Sequence, residues 1–162
     1  MMAEQLKNNK IRVLAVRQPW ASLIVEGLKT IEVRSRPTNI GGTVAIYGAG
    51  HNLTNVEYDN FVTLFYRLMV CGLLSYSDFE ITSRCLNEAC TRNRILGTVE
   101  IVECEKLTSD EMDRPHKHFA LDINPNSYSW KLANPIKFDK PIRYDPPKGA
   151  VVWSKTVLRD GY

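Results

Sequence analysis

The segment KTIEVRSR, residues 29–36, carries the side chains best suited to chemistry. Thr30, Glu32, Arg34 and Arg36 alternate with Ile31 and Val33, the pattern of a half-buried strand with one charged face. Burial of Ile31 and Val33 is expected to turn Glu32 and Arg34 outward. Their Cα atoms then stand about 7 Å apart, at ~3.3 Å rise per residue. The two side chains either converge on one ligand or pair with each other, an exposed pair contributing about 0–1 kcal/mol. Lys29 stands at the strand's entrance, just past Gly27, and a turn there can swing its ammonium toward them. Together these groups can hold a nucleotide. Arginine forks onto phosphate or a base edge, lysine supplies a point charge, and glutamate accepts from an exocyclic amine. Thr30 is the nearby hydroxyl.

Other residues have two readings each. Gln18 either reads a base edge or caps the helix that follows it. Trp20 shares a helical stripe with Leu23 and Ile24, which reads as core. His51, after the glycine-rich YGAG, either reaches a cleft rim or is solvated. Tyr128 and Trp130 alternate on a strand and either stack a base, at ~1–3 kcal/mol, or pack inside. Cys85-x4-Cys90 with His116 and His118 could supply four zinc ligands, but the spacing is looser than that of structural zinc knuckles. Cys71, Cys85, Cys90 and Cys104 therefore read as buried, reduced thiols, and no metal or other cofactor is expected.

These residues need elements to hold them. IRVLAVR (11–17) is strand-like, and Pro19 opens a short helix that Gly27 closes. TVAIYGAG is a third strand. Thr54-x-x-Glu57 and Ser77-x-x-Glu80 read as capping boxes of a helical hairpin over 53–92. Thr108 to Arg114 reads as one helical turn. RILGTVEIVEC, HFALDI, YSWKL and AVVWSKTVL are strand-like, and the four prolines of 134–147 predict extended loop with an edge strand. The fold class that follows is α+β, a small mixed β-barrel with flanking helices and a helical insertion.

Composition agrees with one globular domain. The chain has 162 residues, 44% hydrophobic and 24% charged, with 9 glycines and 8 prolines, which excludes collagen-like and wholly disordered classes. Residues 1–10 read as a flexible tail and 11–162 as the domain. No apolar run approaches the ~18 residues of a membrane helix, and the polar first ten residues lack a secretory core, so a cytoplasmic location is expected. The net charge is +3, and residues 1–36, with seven basic and three acidic side chains, hold all the excess. A local basic field points to an anionic partner.

VLAVRQPWASLIVEGLKTIEVRSRPT resembles the opening of the ASCH domain, a PUA-like family. The signature G-x-K-x-x-E-x-R is met by Gly27, Lys29, Glu32 and Arg34, after the R-Q-P-W turn of Arg17 to Trp20. YSWKLANPIKFDKPI and KGAVVWSKTVL are similar to the family's closing strands, so the resemblance spans about residues 11–158. It implies a pseudo-barrel with a cleft lined by the signature, and a role in binding RNA or a modified base. Arg17, Gln18, Lys29, Glu32, Arg34, His51, Tyr128 and Trp130 are then the ligand-binding candidates. A bound nucleotide is expected to set its phosphate by Arg17 or Arg34 and its base edge near Glu32.

Some small ASCH proteins are hydrolases, acting on acylated cytidine or on RNA. In the amidohydrolases a threonine nucleophile occupies the position of Glu32. Here Glu32 would serve as general base and Lys29 would stabilise an oxyanion, with Thr30 as substitute nucleophile. A third reading is a protein-interaction module, with the 53–92 insertion as the partner surface.

Overall fold

The structure, a computed structural model, describes residues 10–50, 52–87 and 91–158. Its strands are β1 (Lys10–Arg17), β2 (Ile31–Arg34), β3 (Gly42–Ala49), β4 (Arg94–Lys106), β5 (Tyr128–Arg143) and β6 (Trp153–Val157). They form one sheet in the order β2-β5-β4-β3-β1-β6. Only β1 and β3 run parallel; the other neighbours are antiparallel. The helices are α1 (Trp20–Val25), α2 (Asn55–Val70), α3 (Tyr76–Asn87), α4 (Ser109–Met112) and α5 (Pro115–His118). The fold is α+β, as expected. Among the described residues no ladder joins β2 to β6, so hydrogen bonding does not close the sheet into a barrel. Side chains span the gap instead. Arg34 of β2 donates from Nη2 to the Ala15 carbonyl of β1 at 2.7 Å, and Trp130 of β5 stacks on Trp153 of β6 with centroids 5.8 Å apart. The sheet is therefore curled, with its two edges facing.

The alternation of β1 and β3 divides their side chains between two cores. Leu14, Val16, Val44 and Ile46 pack with α1 on the concave side. Ile11, Val13, Ala45 and Tyr47 pack against Ile95 and Ile142 on the other. A third cluster joins Leu23 of α1 to Phe61, Phe65 and Leu68 of α2, with Cys85 and Phe119. Gly27, at φ 81°, ends the turn after α1 and lets the chain swing back into Lys29.

Five local expectations need correction. The capping box of α3 is Ser75 with Asp78, two residues before the expected pair; Asp78 N–H donates to Ser75 Oγ at 3.1 Å and Ser75 N–H to Asp78 at 2.9 Å. The strand-like HFALDI is no strand: His118 ends α5 and residues 119–123 are loop, with Phe119 at φ 51°. The proline-rich 134–143 stretch stays within β5 instead of looping out; β2 pairs only with residues 128–131, so the stretch is the expected edge, and its prolines fall where the register slips. Asn134 and Pro135 face only Val99, and residues 138–141 face only Leu96. Cys71 is exposed at the end of α2, not buried. The fifth correction concerns β2. Glu32 lies opposite Trp130, and Ile31 opposite Lys131. Opposed residues share a face, and Trp130 is in the concave core. The charged face thus points into the curl and Ile31 points away from it, the reverse of the expected orientation.

The capping box at Thr54 forms as expected, and the helical turn expected from Thr108 carries a box of its own between Thr108 and Glu111. β1 already includes Lys10, and residues 1–9 lie outside the described residues. No helix among the described residues is long and apolar enough to cross a membrane.

Candidate functional site

A cavity of about 590 Å³ opens at the seam between β1 and β2. Its wall includes Arg17, Trp20, Lys29, Glu32 and Arg34, with Gly50 at the end of β3, Glu57 and Asn60 of α2, and Asp122 of the loop after α5. The signature side chains thus meet in one concavity, on an inward face of β2.

Their hydrogen bonds define what each can do. Lys29 is 3% exposed, and its ammonium donates to the Ile31 carbonyl at 2.6 Å, the His118 carbonyl at 2.6 Å and Glu32 Oε2 at 3.1 Å. An ammonium has three donors, and all three are used. Glu32 Oε1 accepts from Arg34 Nε at 2.7 Å. Each carboxylate oxygen of Glu32 thus has one cation beside it and a second lone pair to offer. Burial pushes the Glu32 carboxyl up, but Lys29 and Arg34 outweigh it and hold it below the ordinary carboxylate value. Burial pushes the Lys29 ammonium down, while Glu32 opposes that shift.

Arg17 makes a second, more open pair. Its Nη1 and Nη2 donate to Glu57 Oε1 and Oε2 at 3.0 and 3.3 Å. Hydrogen bonds from Arg17 and then from Thr54 pull the Glu57 carboxyl down to about 2. Arg17 also lies over the Trp20 ring, 5.8 Å from its centroid. Gly50, at φ 89°, makes room for that pose, since a Cβ there would stand 2.9 Å from Arg17 Cγ. Trp20 is anchored by its Nε1 donating to the Phe119 carbonyl at 2.7 Å and by an edge contact with Phe61.

Several predicted site residues lie elsewhere. Gln18 is 2% exposed; it caps α1 by accepting from Ser22 N–H at 3.0 Å and ties to the Thr91 carbonyl at 3.1 Å. Trp130 is core, with Nε1 on the Arg36 carbonyl and its ring against Trp153 and the Arg34 guanidinium. Tyr128 packs under Lys106. Thr30 is exposed and lines a separate groove with Asp110, Glu111 and Lys131, on the side away from Glu32. His51 and Cys90 lie outside the described residues. Cys85 is buried. His118 uses both ring nitrogens, Nδ1 accepting from Ala120 N–H and Nε2 facing the Met112 carbonyl. Among the described residues no three metal-ligating side chains cluster.

Sequence reasoning missed Asn60 and Asp122 of the cavity wall, and it misjudged two further members. Trp20 read as core, yet it is only half-buried and offers the cavity's aromatic surface. Glu57 read as a capping residue, which it is, but the same carboxylate also holds Arg17. A capping glutamate facing an arginine forty residues earlier leaves no local signal.

Comparison with known proteins gives a family and a fold. The ASCH domain family matches over residues 14–142. A crystal structure of a serine-to-alanine mutant of ZmASCH from Zymomonas mobilis superposes with a TM-score of 0.50 at 13% identity, covering 95% of this chain and 92% of that one. No curated protein matches in sequence.

Proposed function

The chain belongs to the ASCH domain family, and from that premise we propose that the cavity recognises one nucleobase, carried by a nucleoside or by single-stranded RNA. The observation that carries this reading is the saturation of Lys29. Fixed by two carbonyls, the ammonium stays beside Glu32 and, with Arg34, keeps it ionised at the cavity wall, with acceptor lone pairs for an amine-bearing base edge. Trp20 supplies a face for stacking, the mode by which single-stranded bases are usually read.

The same bonds weigh against turnover. An oxyanion needs an uncommitted donor, and the Lys29 ammonium has none. A general base works best with a pKa near the operating pH, and Glu32 is held low. Thr30 lines a different groove. These observations favour recognition over hydrolysis. Exposed Tyr66, Val70, Leu73 and Tyr76 on the α2–α3 hairpin favour a second role as a protein-contact surface.

Titration with the four ribonucleosides and short single-stranded RNAs tests the proposal. Cytidine and adenosine, which carry an exocyclic amine, are expected to bind more tightly than uridine, and Glu32→Gln to abolish that preference. Equal binding of uridine, or turnover of acylated cytidine, would contradict it.

A further inference from the structure

Resting on that base-reading proposal, we propose that the cavity selects an uncharged base or nucleoside over its phosphorylated form, and that Glu57 is the residue that enforces the choice. The expectation from sequence was the opposite, a phosphate held by Arg17 or Arg34. An uncommitted arginine at a cavity mouth would indeed receive a phosphate through its fork of donors. Both arginines are already held by partners, although Arg17 Nε is buried without one. Arg17 directs Nη1 and Nη2 at both oxygens of Glu57. Arg34 spends Nε on Glu32 and Nη2 on the Ala15 carbonyl.

The charges balance as well. Among the described residues lining the cavity, the cations Arg17, Lys29 and Arg34 are matched by the carboxylates Glu32, Glu57 and Asp122. An entering phosphate thus meets no net positive field. To fork onto Nη1 and Nη2 of Arg17 it must displace Glu57. That carboxylate is fixed from behind, accepting from Thr54 N–H at 2.8 Å and Thr54 Oγ1 at 3.0 Å. Swinging it away undoes the capping box of α2. Glu57 therefore occupies the place a phosphate would take. A neutral base need not break the Arg17–Glu57 pair: it stacks on Trp20 and meets Glu32 deeper in the cavity. In an RNA ligand the phosphodiesters would remain outside the mouth.

The test is calorimetric titration of the full chain with cytidine, adenosine and their 5′-monophosphates at low ionic strength. Each nucleoside is expected to bind about fivefold or more tightly than its monophosphate. Glu57→Gln keeps a side chain able to cap α2 and removes one like charge, so it should shift the monophosphate-to-nucleoside affinity ratio about tenfold toward the monophosphate. Asp122→Asn, on an exposed residue outside any cap, should shift that ratio the same way by a smaller factor. Raising the salt should shrink the discrimination. Tighter binding of the monophosphate by the parent overturns the charge filter and leaves the base-reading proposal standing. So does an unchanged ratio in Glu57→Gln, or in Asp122→Asn should the first variant fold poorly. If no nucleoside or RNA binds at all, the base-reading proposal fails and the filter fails with it.

Discussion

Replacing Lys29 by methionine separates a structural ammonium from one held in reserve for a ligand. Methionine keeps most of the aliphatic stem, so the change removes chiefly the charge and its three donors. It leaves the carbonyls of Ile31 and His118 without a partner and takes one of two cations from a buried carboxylate. An unsatisfied buried polar group costs about 1–3 kcal/mol, and breaking a buried ion pair by removing one partner costs about 3–5 kcal/mol. These costs overlap, because Arg34 stays beside Glu32 and the strand can relax. A net loss of about 3–5 kcal/mol is expected. At roughly 2–4 °C per kcal/mol for a domain of this size, the melting temperature should fall by roughly 6–20 °C. Thermal and urea denaturation followed by circular dichroism would read this directly. The double variant Lys29→Met/Glu32→Gln, which removes both buried charges, should lose less than the two single changes added together, by about 1–3 kcal/mol. A single variant melting within about 2 °C of the parent would refute the reasoning. It would mean the ammonium is not needed to hold β2 to the end of α5 at His118.

Three further outcomes follow from named contacts. Trp20→Leu should weaken nucleoside binding about 5- to 100-fold, the worth of one base stack, while uridine and cytidine weaken alike; titration of the variant checks this, and unchanged affinity places the base elsewhere. His118 is held neutral, first by burial and then by the charges of Lys29 and His116, so its folded pKa lies below its unfolded one. Between those values the unfolded chain binds the extra proton, so stability should fall as the pH drops below about 6.5; melting at pH 7.5 and 5.5 should show a smaller loss in His118→Asn than in the parent, part of the slope remaining with His116, and equal losses would be the contrary result. Gly97 lies where β5 slips register, and a Cβ there would collide with the Ile136 carbonyl; Gly97→Ala should cost about 3 kcal/mol or more, and a variant as stable as the parent by urea denaturation would count against the β4–β5 register.

What the sequence alone determined was local. The alternation of β1 and β3, the Gly27 turn, the Thr54 box and the last strand after Lys148-Gly149 each depend on a few neighbouring residues, and they could be read as such. The signature spacing likewise identified Lys29, Glu32 and Arg34 as a group. What the tertiary structure decided was direction and partnership. Alternation says that the two faces of β2 differ, but not which faces inward. That depended on pairing with Trp130, far along the chain, in a sheet curled so that its edges meet. Strand propensity in HFALDI lost to the need for a carbonyl at His118 facing Lys29 and one at Phe119 facing Trp20. Gln18 and Trp130 were drawn into packing, while Trp20 and Glu57 came to line the cavity. A buried cation must find acceptors wherever the fold brings them, and for Lys29 one of these is a main-chain oxygen 89 residues distant. No spacing rule encodes a contact made through backbone atoms so far along the chain.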